Sequence, residues 1–470
     1  MPTGIYNLTP TLRLKQSFKG KRGTIYEVWT LRDILFSGER AFKHLEKLAV
    51  EIGPRPSGSR EERRAAEYIA SEFEDLGLKT SLQEFEVTTG RVVSKRLEVL
   101  EPYSEEVACE AIPLMGSTGP EGVVGDLLYL ETTDEEYLTP EVSGKVILTG
   151  RFNRREIRLL AKLKPLAVIT IEASPRTLPK HLWGMPELRE KYGAIPSLRV
   201  SYEDGLKLLE RGARRVRVVV ETEEEKVRSQ NVVGELEGSQ RPEEIVLVGG
   251  HYDTVPEVQG AGDNAGGTAL VMELARVFKE KGTRRTMRFI AWGCEEMGLR
   301  GSIHYARRLR EEAERLRKER PEEEVETELD RIKLTINLDV HGAFLGTNFA
   351  RVLGPPELTA AVKLLSKEVG VAFEVKEGVY SSDGTSLSSV GVPSVSFGRG
   401  GGSNVFMHSV EDTIRWLKPQ ALQVQGEFVE RFLTRYVAQA AAFPFEKKIP
   451  EKQRKEIEDY FKKRLMLRPP

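Results

Sequence analysis

A chain of 470 residues exceeds one ordinary hydrophobic core, so two or three domains are expected. Apolar residues make up 39% and charged residues 30%, the balance of a soluble globular protein, and a net charge of -1 offers no field to gather nucleic acid or an anionic membrane. With Cys109 and Cys294 the only cysteines there is no disulfide framework; no apolar leader or bilayer-length run is seen either, so a reducing cytoplasm is the expected compartment.

Residues 1–37 carry no clear periodicity and are read as an N-terminal extension that caps or lengthens the fold. From Glu39 to Leu76 the pattern is helical, broken at "GPRPSGS" (53–59), where two prolines and two glycines force a turn and Ser59 caps the next helix with Glu62 three residues on. Gly77 stops that helix, and "LKTSLQEFEV" alternates like a strand. Residues 93–224 then read as a separate α/β unit. Strands "GDLLYL" and "GKVILTG" precede a helix near 157–164, followed by strand "LAVITIEA", helix "YEDGLKLLERG" and strand "RRVRVVVET".

After the acidic "ETEEEK" a new series opens, so 38–92 and 225–445 form the main unit. Strand "EEIVLVGG" leads into "HYDTVPEVQGAGDNAGG", and a helix over 268–280 buries an apolar stripe and ends at Gly282. Strand "TMRFIAW", a charged helix from Ser302 that Pro321 breaks, strands "KLTINLD" and "VPSVSFG" and a helix after Lys418 complete it. Near-continuous apolar strands alternating with helices predict an α/β fold with a mixed, mostly parallel central sheet flanked by helices, carrying a smaller inserted α/β unit. The charged tail 446–470 reads as an exposed, solvated helix.

Four places put acids or histidines just past the end of a predicted strand. They are His251, Asp253 and Asp263 after "IVLVGG"; Glu295 and Glu296 after "RFIAWGC"; Asp339 after "LTINL"; and His408 in "SNVFMHSVED". In open α/β sheets that edge is where ligands bind. Each signal alone is weak: an H-x-D or an E-E pair is mostly a solvated surface feature, and a lone Asp after a strand is often a helix cap. Their convergence on one edge is what carries weight. Gathering Asp263, Glu296 and Asp339 without a counter-charge would cost roughly 4 kcal/mol per pair of like charges in contact. Two divalent cations remove that cost, and the mixed nitrogen and oxygen donor set suits zinc, with cobalt or manganese as alternatives.

The ordered set "HYD…GAGDNAGGTA…CEEMGLRGS…NLDV…MHSVED" resembles the M28 family of co-catalytic zinc aminopeptidases, within the wider aminopeptidase–carboxypeptidase group. The stretch "GPRPSGSREERRAAEYIASEFEDLGLKTSLQEFEV" is similar to that family's opening helix and strand, and 93–224 to the protease-associated domain often inserted there; the resemblance covers roughly 40–440. It implies that His251 and Asp339 bind one metal, Glu296 and His408 the other, and that Asp263 bridges them. It further implies that Asp253 orients the His251 ring and that Glu295 is the general base. A peptide would be the substrate, and the family admits homo-oligomers. Tyr380 would stabilise the oxyanion as a tyrosine does in some relatives, although the spacing is inexact. Many relatives carry a histidine where Gly384 follows the Ser-Asp pair. His341 is unusual beside Asp339, His304 is expected on a helix surface, and Cys294 reads as a small buried hydrophobe. Aminopeptidase is the expected activity. Carboxypeptidase, dipeptidase or deacylase chemistry on the same site is the alternative, kept open by Arg399 as a partner for a substrate carboxylate. A non-enzymatic scaffold that has lost its ligands fits less well, since every ligand position is filled.

Overall fold

The run Ile245-Val246-Leu247-Val248 is wholly buried because the sheet it crosses is covered on both faces. The computed structural model describes residues 18–19, 25–26, 36–152, 156–322 and 324–470. Most of the expected N-terminal extension, residues 1–37, therefore lies outside the described residues. Among the described residues, no helix is long and apolar enough to cross a membrane.

In chain order, helices α1 (Gly38–Glu46) and α2 (Arg60–Asp75) lead into strand β1 (Lys79–Glu101). Strands β2 (Val123–Thr132), β3 (Val146–Arg151), β4 (Ala167–Ile171) and β5 (Ser197–Val200) form the insert, and β6 (Arg215–Leu236) returns from it. The main unit continues with β7 (Arg241–His251), α3 (Gly266–Lys281), β8 (Arg285–Trp292), α4 (Arg300–Glu319) and β9 (Ile332–Leu338). It ends with β10 (Thr347–Leu353), α5 (Pro356–Val369), β11 (Phe373–Glu377), β12 (Ser394–Gly400), α6 (Pro419–Leu433) and α7 (Glu451–Asp459). The sheet order is β11-β10-β12-β9-β7-β8-β6-β2-β3-β4-β5. The centre is parallel: β7 pairs in parallel with both β8 and β9, and β9 with β12.

Local chemistry explains the boundaries. Ser59 accepts the Glu62 N–H and starts α2, but the Glu62 carboxylate does not close a reciprocal cap. It is buried instead, accepting from the Gly58 N–H and the Ser229 hydroxyl, and burial raises its pKa to about 8. The two positions read as joints between units, near 93 and 224, fall inside single long strands. β1 and β6 pair antiparallel along 23 and 22 residues, so one twisted ribbon runs from the insert into the main sheet. The run 221–226 is mid-strand, and opposite charges meet across the ribbon: Glu223 with Arg91 at 2.5 Å, and Lys226 with Glu86 at 3.3 Å. The insert keeps an apolar core of its own around Val146, Leu148, Ile169 and Leu198.

The tail corrects an expectation. α7 is charged, yet it is not a solvated helix. Ile457, Phe461 and Leu465 are buried in one apolar cluster with Met185 and Leu188 of the insert and Leu299 and Ile303 of the main unit. Its charges pair along the helix, Lys462 with Glu458 and Lys463 with Asp459 at 2.9 Å. The tail thus clamps insert to main sheet. Phe461→Ala is expected to cost about 3–5 kcal/mol, the usual penalty for emptying a fully buried aromatic site, read as a lower denaturation midpoint; an unchanged midpoint would show that the tail is not part of the core.

Candidate metal centre

The parallel strands β7, β8, β9 and β12 end at one edge, and the loops beyond them carry every site residue expected there. His251 is the last residue of β7 and pairs in register with Trp292, the last of β8. Its Nε2 lies 3.1 Å from Asp263 Oδ1 and 3.3 Å from Asp339 Oδ1. His408 Nε2 lies 3.2 Å from Asp263 Oδ2 and 3.1 Å from Glu296 Oε2. Two donor triads result, His251–Asp263–Asp339 and Asp263–Glu296–His408, and they share Asp263 through its two oxygens.

These spacings fit a metal ion. A tetrahedral zinc with bonds of about 2.0–2.1 Å holds its ligand atoms roughly 3.3 Å apart. Glu296 Oε1 and Asp339 Oδ1 are buried with no hydrogen-bond partner, a costly state that coordination relieves. The electrostatics agree. Burial opposes a charged His251 ring, but Glu295, Asp253, Asp263 and Asp339 outweigh it and hold its pKa well above the usual imidazole value. At His408 burial is likewise outweighed, by Glu296 and Asp263, and the pKa rises to about 10. The negative field that keeps a proton on each ring is the field that draws a divalent cation to displace it.

Asp253 has a wider role than orienting one ring. Its Oδ1 is 3.4 Å from His251 Nδ1, and the same carboxylate accepts the backbone N–H of Glu295 at 2.9 Å and of Glu296 at 3.2 Å. Ser57 donates to it as well. One buried acid therefore sets the ring of one donor and the backbone of the dipeptide that supplies another. Glu295 is 4.0 Å from His251 Nε2, and burial, with Glu296, Asp339 and Asp383 behind it, pushes its carboxyl up despite the pull of His251.

Three residues that hold the site were not singled out from sequence. Asp412, four residues beyond His408, accepts from the N–H of Gly262 at 2.9 Å and of Asp263 at 3.1 Å, and so fixes the bridging loop. Asn264 ties that loop to the end of β9: its amide donates to the Leu338 carbonyl, and its oxygen accepts from Gly267 and Val340. The approach is so close that a Cβ at Gly250 or Gly267 would strike the Leu338 carbonyl. Arg55, inside the turn "GPRPSGS", is wholly buried and donates to the carbonyls of Leu48, Gly53, Tyr252, Gln259 and Gly260. Asp412 was legible as part of "MHSVED"; a buried arginine bonded only to carbonyls leaves no pattern in a sequence.

The remaining candidates sort cleanly. Tyr380 lines the same cavity as Glu295, Asp263 and Asp339, and burial and those acids raise its pKa. His341 is buried and its Nε2 bonds the Phe397 carbonyl at 2.9 Å, so it braces β12. His304 stacks on Phe85. Cys294 is buried against Glu62, and burial and that carboxyl push its thiol far from the reactive range. The Arg399 guanidinium is engaged in the fold: its three nitrogens donate to Ala343 O, Asn348 Oδ1 and Phe344 O, pinning the loop before β10.

The site opens into a cavity of about 1200 Å³ whose far walls come from the insert (Phe152, Lys180, Trp183, Arg199) and from Tyr460 in the tail. Asp412→Ala, which removes no donor to the metal, is expected to weaken divalent-metal affinity about 10- to 100-fold, as loss of a supporting partner typically does. Chelator competition measures this, and an unchanged affinity would mean that the Asp263 loop holds itself.

Comparison with known proteins points to peptide hydrolases. Residues 231–433 match the sequence profile of Peptidase family M28. Aminopeptidase YwaD of Bacillus subtilis is 26% identical over 431 residues, spanning 85% of this chain and 84% of that protein. Carboxypeptidase Q of Bos taurus is 28% identical over 292 residues, 57% of this chain and 60% of that protein. The crystal structure of BSAP, a zinc aminopeptidase from Bacillus subtilis, superposes with a TM-score of 0.71 at 25% identity, covering 89% of this chain and all of that one.

Proposed function

We propose that this chain, a peptide hydrolase of peptidase family M28, is a zinc aminopeptidase with two metal ions, removing N-terminal residues from peptides. The observation that carries this is the carboxylate of Asp263, one oxygen facing His251 and the other His408. His251 and Asp339 would hold one ion, Glu296 and His408 the other, with Asp263 between. Two shared triads support a pair of ions better than one, since a single tetrahedral ion has no use for five converging donors.

Bound cations polarise a scissile carbonyl and bring the pKa of water toward ~7. The chain's own residues do the rest. Glu295, held against the centre by the Asp253 clamp on its backbone, takes the proton of the attacking water and passes it to the leaving amine. Tyr380, on the cavity wall, is placed to donate to the developing oxyanion. We read the unit around β2–β5 as the protease-associated-like insert, acting as a wall that limits what reaches the centre.

Carboxypeptidase chemistry stays the second reading because of the similarity to carboxypeptidase Q. Acetylating the N-terminus of a good substrate separates the two. Turnover should fall by at least about 100-fold for an aminopeptidase, the scale on which a buried site rejects a missing polar partner, whereas undiminished cleavage would favour the second reading. Glu295→Ala should keep its metal and lose about 100-fold or more in kcat, as removal of a general base does, while Asp263→Ala should lose metal as well. Metal content measured beside rate checks this, and equal rates for wild type and Glu295→Ala would remove the base assignment.

A further inference from the structure

The part of the cavity wall that the insert supplies holds two cations, Lys180 and Arg199, beside one acid, Glu172. Glu172, directly after β4, is buried. Its Oε1 accepts from Arg199 Nε at 2.7 Å and from the Lys180 backbone N–H at 2.9 Å. One carboxylate thus anchors both the guanidinium on β5 and the main chain that presents Lys180. All three residues line the cavity that contains Glu295, Glu296 and Asp263. Glu172 makes its ion pair with Arg199, and Lys180 makes no ion pair among the described residues. Two cations against one acid leave these three residues with a net single positive charge.

The charge sits near the chemistry. The residue after Lys180 is His181, whose backbone N–H donates to the His408 carbonyl at 2.8 Å. The segment bearing Lys180 is therefore hydrogen-bonded to the loop that bears a metal-site histidine. The cavity carries the site carboxylates on one part of its lining and, on the part the insert supplies, an ammonium and a guanidinium; Arg151 of the insert and Glu456, Asp459, Lys463 and Arg464 of the tail also line it. A half-buried ammonium disfavours its own charge, and burial together with Arg199 lowers the Lys180 pKa against the pull of Glu172, so an incoming anion is stabilising there.

A zwitterion matches that layout. We infer that Lys180, supported by Arg199, binds the free C-terminal carboxylate of a short peptide whose amino end lies at the metal centre, so that the enzyme prefers peptides of a few residues with an unblocked C-terminus. This rests on the aminopeptidase reading. Arg399, the cation that sequence singled out for such a role, is spent on loop carbonyls and an asparagine.

The test compares a tripeptide such as Leu-Gly-Gly with its C-terminal amide, using the full-length, metal-loaded enzyme. Wild type should favour the acid by about tenfold or more in kcat/KM, mainly through KM, the worth of one charge-assisted hydrogen bond. Lys180→Gln should bring the acid-to-amide ratio close to one, and Lys180→Arg should keep it. Because the ratio is internal to each variant, partial loss of folding leaves it unaffected. A wild-type ratio near one, or a ratio that Lys180→Gln leaves in place, overturns the inference. Turnover of leucine p-nitroanilide, which has no carboxylate, separates the two levels. If the anilide is cleaved and the ratio is one, only the carboxylate subsite falls; if no substrate with a free N-terminus is cleaved, the aminopeptidase reading falls and the inference with it.

Discussion

Crowded negative charge is the constraint around which this molecule is built. Asp263, Glu295, Glu296 and Asp339 line one cavity, with Asp253 and Asp412 just behind them, against the imidazoles of His251 and His408. No arrangement of protein groups alone makes that cheap, since like charges at contact repel by kilocalories even in a well-screened setting. The fold keeps them there by making them hard to move. Asp263 is locked from both sides, its N–H by Asp412 and its successor Asn264 by the end of β9. Arg55 then bonds the carbonyls of the preceding loop. Such a site is preorganised for cations before any arrives.

The supporting acids divide the work by burial and by what they accept. Asp253 and Asp412 bond backbone amides rather than metal-facing atoms, so they act by placing their neighbours. Asp253 is the economical one, since the ring of His251 and the backbone of Glu295 and Glu296 all refer to it. A shift of this one carboxylate would move donor and base together. Their relative positions therefore survive small motions of the sheet edge better than if each were held separately.

Much of this could be read from the chain alone. The apolar runs before His251, Glu295 and Asp339 are strands buried on both faces, and period and length identify such runs well. The candidate residues share a position after those strands; which of them would hold metal is what the resemblance to the M28 family implies. What stayed hidden had weaker local signals. β10 (Thr347–Leu353) sets Asn348 and Arg351 among apolar residues without a clean period of two; it is a strand with β12 antiparallel on one edge and β11 parallel on the other. The acidic run 221–226 looked like a joint because its cross-strand partners, Arg91 and Glu86, lie more than a hundred residues away. The tail looked solvated because its charges are frequent. Its apolar residues, Ile457, Tyr460, Phe461 and Leu465, are few, and their burial depends on a groove made by two other parts of the chain.

That groove bears on what the enzyme admits. A metal centre at a sheet edge is by default an open crevice, reachable by any chain terminus. Here the ribbon of β1 and β6 carries the insert to one side of the crevice, and the tail closes the gap between insert and main unit through Tyr460, whose hydroxyl meets Ser381 at 2.7 Å, one residue from Tyr380. The walls are covalently remote from the floor but bonded to the main unit, Tyr460 to Ser381 and His181 to His408 among the contacts. An enclosure of that kind selects by length and by the charge at the far end of the substrate. The donors on the floor define the reaction and the walls define the clientele, and because the walls are made of segments outside the donor motifs, selectivity can change without disturbing a single ligand.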